Sequence, residues 1–213
     1  MRTAICGGKV ITPWEVLDPA DILIEDGVIA AVGPGLACGE SCERVDAAGK
    51  IVAPGFLDIH VHGSAGHDTL DATREAIEGM ATYFASRGVT GFLPTTLTVP
   101  ADQIMAAVRC VHECQQRPVS GAQPLGVHLE GPYIDVQMKG AQPPQHVRPA
   151  SAEEYHQFFS LGNIRLISLA PEIEANQPLI SFARRQGAAV AVGHSSATYE
   201  QMEAAVRRGL YQA

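Results

Sequence analysis

Residues 54–63 read PGFLDIHVHG, a short apolar run that ends in two histidines. The run has the length and composition of a buried strand, and the Pro-Gly pair marks its start. Side chains two residues apart on a strand point to the same side, so His60 and His62 lie together. Two imidazoles on one side of a strand can chelate a divalent metal ion. We prefer this interpretation to two unrelated surface histidines.

The same kind of apolar run recurs along the rest of the chain, and segments of helical length separate the runs. Nearly continuous apolar strands alternating with helices predict an α/β fold with a buried parallel sheet. This pattern does not separate an open sheet from a barrel. The predicted strands are Phe56–Val61, Val89–Thr95, Leu125–Leu129, Arg165–Ala170 and Ala188–Val192. The predicted helices are Asp71–Arg87, Ala101–Cys114, Pro178–Gln186 and a segment ending at Arg208 that a Thr198-x-x-Gln201 capping box opens.

The first 50 residues differ from this pattern and read as short strands and turns. Two apolar runs flank Asp26-Gly27, which is a strong hairpin signal. Such a unit is too small to be a convincing domain by itself. We therefore predict that residues 1–50 are part of a small β-domain and that residues 51–213 form the strand–helix region, with a long loop at Asp135–Pro149.

Composition excludes several classes of function. The chain has 213 residues, of which 46% are hydrophobic, and a formal net charge of -8. A basic face for nucleic acid is not visible, and no apolar run approaches the roughly 20 residues of a membrane helix. The segment Met1–Gly8 does not resemble a signal peptide. We expect a cytoplasmic protein that binds neither nucleic acid nor membrane.

The chain contains five cysteines, an odd number that argues against a disulfide framework. Cys38 and Cys42 form one C-x-x-x-C pair, and Cys110 and Cys114 form another. Either spacing is compatible with a zinc site. We favour reduced thiols, because the second pair also has the one-turn spacing of a buried helix face.

Polar residues also follow two later apolar runs. Glu130 precedes Gly131-Pro132, which turns the chain at once, and His194 ends the fifth predicted strand. Active sites of parallel barrels lie at this carboxyl end of the strands. Glu130 and His194 are therefore candidate metal ligands, although a surface carboxylate and a structural histidine are the alternatives. His128 faces the same side as Glu130, as either a packed histidine or a ligand.

Residues 54–63 resemble the first barrel strand of the amidohydrolase superfamily. Residues 128–133, HLEGPY, resemble the signature of its N-acetylglucosamine-6-phosphate deacetylase family, in which a glutamate replaces the carboxylated lysine of hydantoinase-like members. Residues 170–172 (APE) and 193–197 (GHSSA) also match that family. The resemblance implies a TIM-type (β/α)8 metal-dependent hydrolase barrel. About five of its strand–helix units would be present here, preceded by part of a small β-domain.

The resemblance also implies roles for individual residues. Glu130 and His194 would bind a core metal, and His60 and His62 would hold a second ion in two-metal members. One or two divalent ions are therefore expected, chosen among Zn, Fe, Mn and Co. The adjacent pair Ala141–Gln142 aligns with a segment that contacts the sugar, and many relatives have histidine where this chain has Gln142.

The activity implied is hydrolysis of N-acetylglucosamine 6-phosphate to glucosamine 6-phosphate and acetate, in amino-sugar catabolism. The family's general acid–base aspartate, a further metal histidine and the phosphate-binding residues would all follow Ala213. We therefore expect an N-terminal portion that is inactive and either poorly soluble or oligomeric when it is expressed alone. The family also implies a homo-oligomer, a dimer. Two alternatives stay open: another amidohydrolase, acting on a cyclic amide or dipeptide, and a catalytically dead remnant that acts as an interaction partner.

Overall fold

The computed structural model describes residues 1–36, 39 and 41–213, which form two compact units, Met1–Gly55 and Phe56–Ala213. The first unit is one sheet. Its strands are β1 (Arg2–Ile11), β2 (Val16–Glu25), β3 (Val28–Gly33), β4 (Glu43–Asp46) and β5 (Ile51–Val52). The antiparallel order is β3-β2-β1, and both β4 and β5 run parallel to β1.

The predicted hairpin at Asp26-Gly27 is confirmed. It joins β2 to β3, and both turn residues have positive φ, as a tight hairpin turn requires. The predicted boundary at residue 50 falls too early for the first compact unit. Ile51–Val52 pairs with Lys9 and Val10 of β1, so the unit extends to Gly55.

The second unit alternates strands and helices, as the sequence predicts. Its elements are β6 (Phe56–Val61), β7 (Gly63–Ser64), β8 (His67–Asp68), α1 (Arg74–Ala85), β9 (Val89–Pro94), α2 (Ala101–Gln116), β10 (Gln123–Pro124), β11 (Val127–Glu130), α3 (Ala152–Leu161), β12 (Ile164–Leu169), α4 (Gln177–Arg185), β13 (Ala189–Val192) and α5 (Tyr199–Arg208). Short 3-10 turns lie at Thr69–Asp71, Val136–Met138, Pro144–His146 and Glu174–Asn176.

Two parallel sheets organise this unit. One has the order β10-β9-β6, and the other has the order β11-β12-β13. A parallel bridge between Thr95 and His128 connects the ends of β9 and β11. The α/β class with parallel strands is therefore confirmed. The strands of the described residues do not form a closed barrel.

Two local predictions need correction. The predicted strand Leu125–Leu129 is interrupted at Gly126, whose φ of +144° is unfavourable for other residues. A side chain at this position would also collide with Arg165 and with the carbonyl oxygen of Asn163, which lies 2.6 Å from an ideal Cβ. The helix α3 was not predicted; it buries Tyr155 and Phe158, which are one turn apart.

A local signal explains where α5 begins. Thr198 accepts a hydrogen bond from Gln201 N, and the Gln201 side chain bonds the Thr198 backbone, so the predicted capping box is confirmed.

Cys110 and Cys114 are free and buried on one face of α2, as predicted. Cys42 is disulfide-bonded, so the prediction of reduced thiols is wrong at that residue. Cys38 lies outside the described residues.

The core of the second unit lies between its parallel strands and its helices. Ile77 and Met80 of α1, Val108 of α2 and Ile180 of α4 are completely buried against strand residues such as Ile167. No helix within the described ranges combines the length and hydropathy needed to cross a membrane.

Candidate metal centre

The four candidate ligands lie at one edge of the second unit. His60 is in β6 and His62 follows it, Glu130 is the last residue of β11, and His194 follows Gly193 at the end of β13. The carboxyl ends of parallel strands meet at the same edge, which is where parallel α/β folds place their sites. The topology therefore brings together residues that are up to 134 positions apart, from His60 to His194.

Glu130 is the centre of this group. Its Oε2 lies 3.0 Å from His62 Nε2 and 3.6 Å from His60 Nε2, and the two imidazole nitrogens are 3.3 Å apart. Its Oε1 lies 3.2 Å from His194 Nε2. The two carboxylate oxygens therefore serve different histidines, and Glu130 itself is buried, with 6% of its surface exposed.

Backbone carbonyls set the direction of two of the imidazoles. The carbonyl oxygen of Thr95 lies 3.2 Å from His62 Nδ1, and that of Met138 lies 2.9 Å from His194 Nδ1. A carbonyl oxygen only accepts, so each Nδ1 carries the hydrogen and donates it. Metal-binding histidines are usually held in this way, with the other nitrogen directed at the ion. Here that other nitrogen, Nε2, faces Glu130 in both cases.

The charges around Glu130 favour its ionised form. Burial raises the pKa of this carboxyl group, but the hydrogen bond with His62 and the charges of the nearby imidazoles outweigh burial and lower the pKa to about 2. The same hydrogen bond raises the pKa of His62, and burial of that ring opposes the shift. Glu130 is therefore a carboxylate at neutral pH, which is the form that binds a cation.

His128 forms a second layer behind this group. It is 1% exposed, its Nε2 lies 2.8 Å from Ser168 Oγ, and its Nδ1 lies 3.4 Å from Thr95 Oγ1. Its ring packs edge-on against His60 with 4.9 Å between centroids. Burial, followed by the charge of His60, lowers the pKa of His128 to about 4, so it is a neutral ring at physiological pH.

A hydrogen-bond network holds the loop that carries His194. The Glu172 carboxylate accepts from Ser195 Oγ at 2.6 Å and from Ser196 N at 2.7 Å. Asp135 accepts from Ser196 Oγ at 2.5 Å, and its own N–H donates to the His194 carbonyl oxygen at 2.9 Å. His194 has a φ of +51°, which is uncommon for residues other than glycine. The network supports that backbone geometry.

The two residues predicted to contact a sugar lie in the loop before α3. Ala141 is exposed, whereas Gln142 is 3% exposed. The Gln142 amide donates to Glu130 Oε2 at 3.1 Å, and its oxygen accepts from Thr98 N at 2.7 Å. Four residues thus support the site through hydrogen bonds that no sequence motif had predicted. They are Thr98, Asp135, Ser168 and Glu172.

The donor atoms fit a divalent cation. One ligand atom from each of His60, His62 and Glu130 lies within 4.8 Å of the others. An open cleft of about 290 Å³ lies beside them and is also lined by His194. Nitrogen and carboxylate ligands suit Zn and other first-row transition metals. Fold and site together define a parallel β/α protein with a candidate histidine–carboxylate metal centre.

The chain belongs to the amidohydrolase family, which it matches over residues 51–210. Curated relatives include an N-acetylgalactosamine-6-phosphate deacetylase of Escherichia coli O157:H7, 37% identical over 94% of this chain and 52% of the relative. An N-acetylglucosamine-6-phosphate deacetylase of Vibrio furnissii is 42% identical over 73% of this chain and 40% of the relative. The chain thus spans about half the length of these relatives.

Solved structures support the same assignment. N-acetylglucosamine-6-phosphate deacetylase from Pasteurella multocida superposes with a TM-score of 0.90 at 27% identity, over 99% of this chain and 55% of that one. The corresponding enzyme from Mycobacterium smegmatis gives a TM-score of 0.86 at 27% identity, over 99% of this chain and 54% of its own. A Xaa-Pro dipeptidase shares the fold at 17% identity, with a TM-score of 0.60.

Proposed function

We propose that this chain provides the metal centre of an enzyme that hydrolyses N-acetylglucosamine 6-phosphate to glucosamine 6-phosphate and acetate. The observation that carries the proposal is Glu130, a buried carboxylate whose two oxygens face His60 and His62 on one side and His194 on the other. The names of the relatives and the HLEGPY segment support the substrate class. The architecture proposed for Phe56–Ala213 is about five strand–helix repeats of a (β/α)8 barrel. The preceding compact unit, Met1–Gly55, is proposed to be part of a small β-domain.

The proposed ion binds through Glu130 and His194, with His60 and His62 as ligands of a second ion. A divalent metal ion bound there would act as a Lewis acid, which would polarise the acetamide carbonyl and make water more acidic. The chain's own residues prepare the site for it. Glu130 provides the negative charge, and the carbonyls of Thr95 and Met138 hold two of the imidazoles with Nε2 directed inward.

The sugar epimer gives a second candidate substrate. The relative from Escherichia coli is named for N-acetylgalactosamine 6-phosphate, which differs from the glucosamine compound only in the configuration at one carbon. The acetamide and the phosphate are common to both. A metal centre that acts on the acetamide would therefore serve either epimer, and discrimination would depend on contacts to the ring hydroxyls.

The proposal predicts which amide is hydrolysed. In a protein that contains these residues over the full length of the relatives, acetate release should be much faster from N-acetylglucosamine 6-phosphate than from a cyclic amide such as dihydroorotate or from a dipeptide. Because the substrate classes differ by a phosphate and a sugar ring, we expect kcat/KM to differ by roughly 100-fold or more, about 3 kcal/mol. The galactosamine epimer is measured in parallel.

Three results would redirect the proposal. Preference for the galactosamine epimer would support the second candidate, and preference for the cyclic amide or the dipeptide would favour another amidohydrolase. A wild-type protein that binds no metal and hydrolyses none of these compounds would favour a remnant acting as an interaction partner. The Glu130→Gln variant is the matched control, because any true turnover should disappear with it.

A further inference from the structure

We propose that Gln142 is a positioning residue that orients the Glu130 carboxylate for metal binding. The inference rests on the proposed metal centre. It assigns to Gln142 an action through Glu130 in place of a direct contact with the sugar.

The side-chain amide of Gln142 forms a bridge between two fixed groups. Its nitrogen donates to Glu130 Oε2 at 3.1 Å, and its oxygen accepts from the backbone N–H of Thr98 at 2.7 Å. Both hydrogen bonds are buried, and Gln142 is only 3% exposed. Buried polar groups need such partners, so the bridge is favoured over conformations that break it.

The bridge acts on the oxygen that faces the histidine pair. Glu130 Oε2 is the atom that lies 3.0 Å from His62 Nε2 and 3.6 Å from His60 Nε2. A donor at 3.1 Å on the same oxygen restricts rotation of the carboxylate about its terminal bond. Outer partners of this kind orient metal ligands in many proteins.

The backbone around Gln142 is anchored as well. Gln142 N donates to the Lys139 carbonyl oxygen at 2.9 Å, and the neighbouring Met138 carbonyl accepts from His194 Nδ1 at 2.9 Å. The segment 138–142 therefore contacts two candidate ligands, His194 and Glu130. It orients His194 through a backbone carbonyl and Glu130 through a side-chain amide.

Burial limits a direct sugar contact by the Gln142 amide, because only 3% of this residue is exposed while the bridge is closed. Turning the amide towards a ligand would remove the partner of the buried Thr98 N–H and the donor to Glu130 Oε2. Loss of a partner by a buried group is unfavourable. The exposed neighbour Ala141 does not have this constraint.

The test is the Zn²⁺ affinity of the purified protein, measured by calorimetric titration with a competing chelator. Gln142→Met keeps the side-chain length and removes both hydrogen bonds, so we expect a roughly 10–100-fold weaker affinity, as for other outer partners of ligands. Gln142→His should stay within about threefold of wild type, because neutral imidazole still offers one donor and one acceptor. Gln145→Met, on an exposed residue of the same loop, should not change the affinity.

Thermal unfolding in a chelator separates positioning from folding. We expect the metal-free melting temperatures of the Gln142 variants to differ little from wild type. If Gln142→Met does not fold, Gln142→Asn gives the same test, because its amide is too short to reach both partners. A folded Gln142→Met or Gln142→Asn protein with wild-type Zn²⁺ affinity would overturn the proposal. The conclusion would be clearest if the same substitution raised the KM for the sugar in a protein of the relatives' full length. Unchanged affinity in Glu130→Gln would instead overturn the metal centre itself.

Discussion

Replacement of Glu130 by glutamine is expected to weaken divalent metal binding severely. The loss should exceed the roughly 10–100-fold seen when a residue that only hydrogen-bonds a metal ligand is removed. Glu130 is the one residue of the group that contacts all three histidines, and it supplies the negative charge. Burial raises the pKa of Glu130, but the hydrogen bond with His62 and the charges of the surrounding imidazoles outweigh burial and favour the anion. A neutral amide of the same shape keeps the packing and removes the charge. Chelator-competition titration of wild type and variant measures the change.

The matched control is Glu153→Gln, the same substitution on an exposed residue of α3. It should bind metal as the wild type does. His194→Ala should also lower metal occupancy, because His194 is the candidate ligand on the second carboxylate oxygen. His60→Ala should affect only a second, weaker ion. Full metal content in Glu130→Gln by elemental analysis would remove Glu130 from the ligand set.

Substitution of Gly131 by alanine is expected to destabilise the protein by roughly 2–6 kcal/mol, the sum of backbone strain and overpacking. Gly131 has a φ of +69°, which L side chains rarely adopt. An added Cβ would collide with Thr98 Oγ1 and lie 3.2 Å from Thr98 Cβ. Because Gly131 follows Glu130 directly, relief of this collision should also displace the carboxylate. Urea denaturation measures the loss of stability.

Gly187→Ala separates the two causes. Gly187 has a φ of +83° and no neighbouring atom within 4 Å of an added Cβ, so this variant should show only the strain, about 1–3 kcal/mol. Combining Gly131→Ala with Thr98→Ala removes the colliding hydroxyl and should recover part of the lost stability. If Gly131→Ala and Gly187→Ala lower the free energy of unfolding equally, the collision with Thr98 does not contribute to the loss of stability.

The sequence predicts the positions of the candidate ligands because these follow apolar strands. His60, Glu130 and His194 each lie at or just after the end of a continuous apolar run, and parallel strands bring such ends to one edge. Glycine and proline next to Glu130 also signal the turn that keeps it at that edge. The hairpin at Asp26-Gly27 and the capping box at Thr198 were predictable because each of these signals acts within a few residues.

The supporting contacts could not be predicted, because they join residues that are far apart in sequence. Glu172 holds Ser195 and Ser196 across more than 20 positions, and Gln142 reaches Thr98 across 44. Local patterns carry no information about such pairs.

The missed helix α3 is short and buries only Tyr155 and Phe158, so its apolar period is weak. The break at Gly126 depends on Arg165 of a neighbouring strand.

The location of a bound ion is the most direct test of the metal centre. Crystals grown with Zn²⁺ and measured at the zinc absorption edge will show the ion as an anomalous peak. We expect a peak about 2.0–2.2 Å from a Glu130 carboxylate oxygen and from Nε2 of at least one of His60, His62 and His194. A fully occupied zinc ion elsewhere, for example at the Cys110–Cys114 pair, with no peak beside Glu130, would contradict the proposed metal centre.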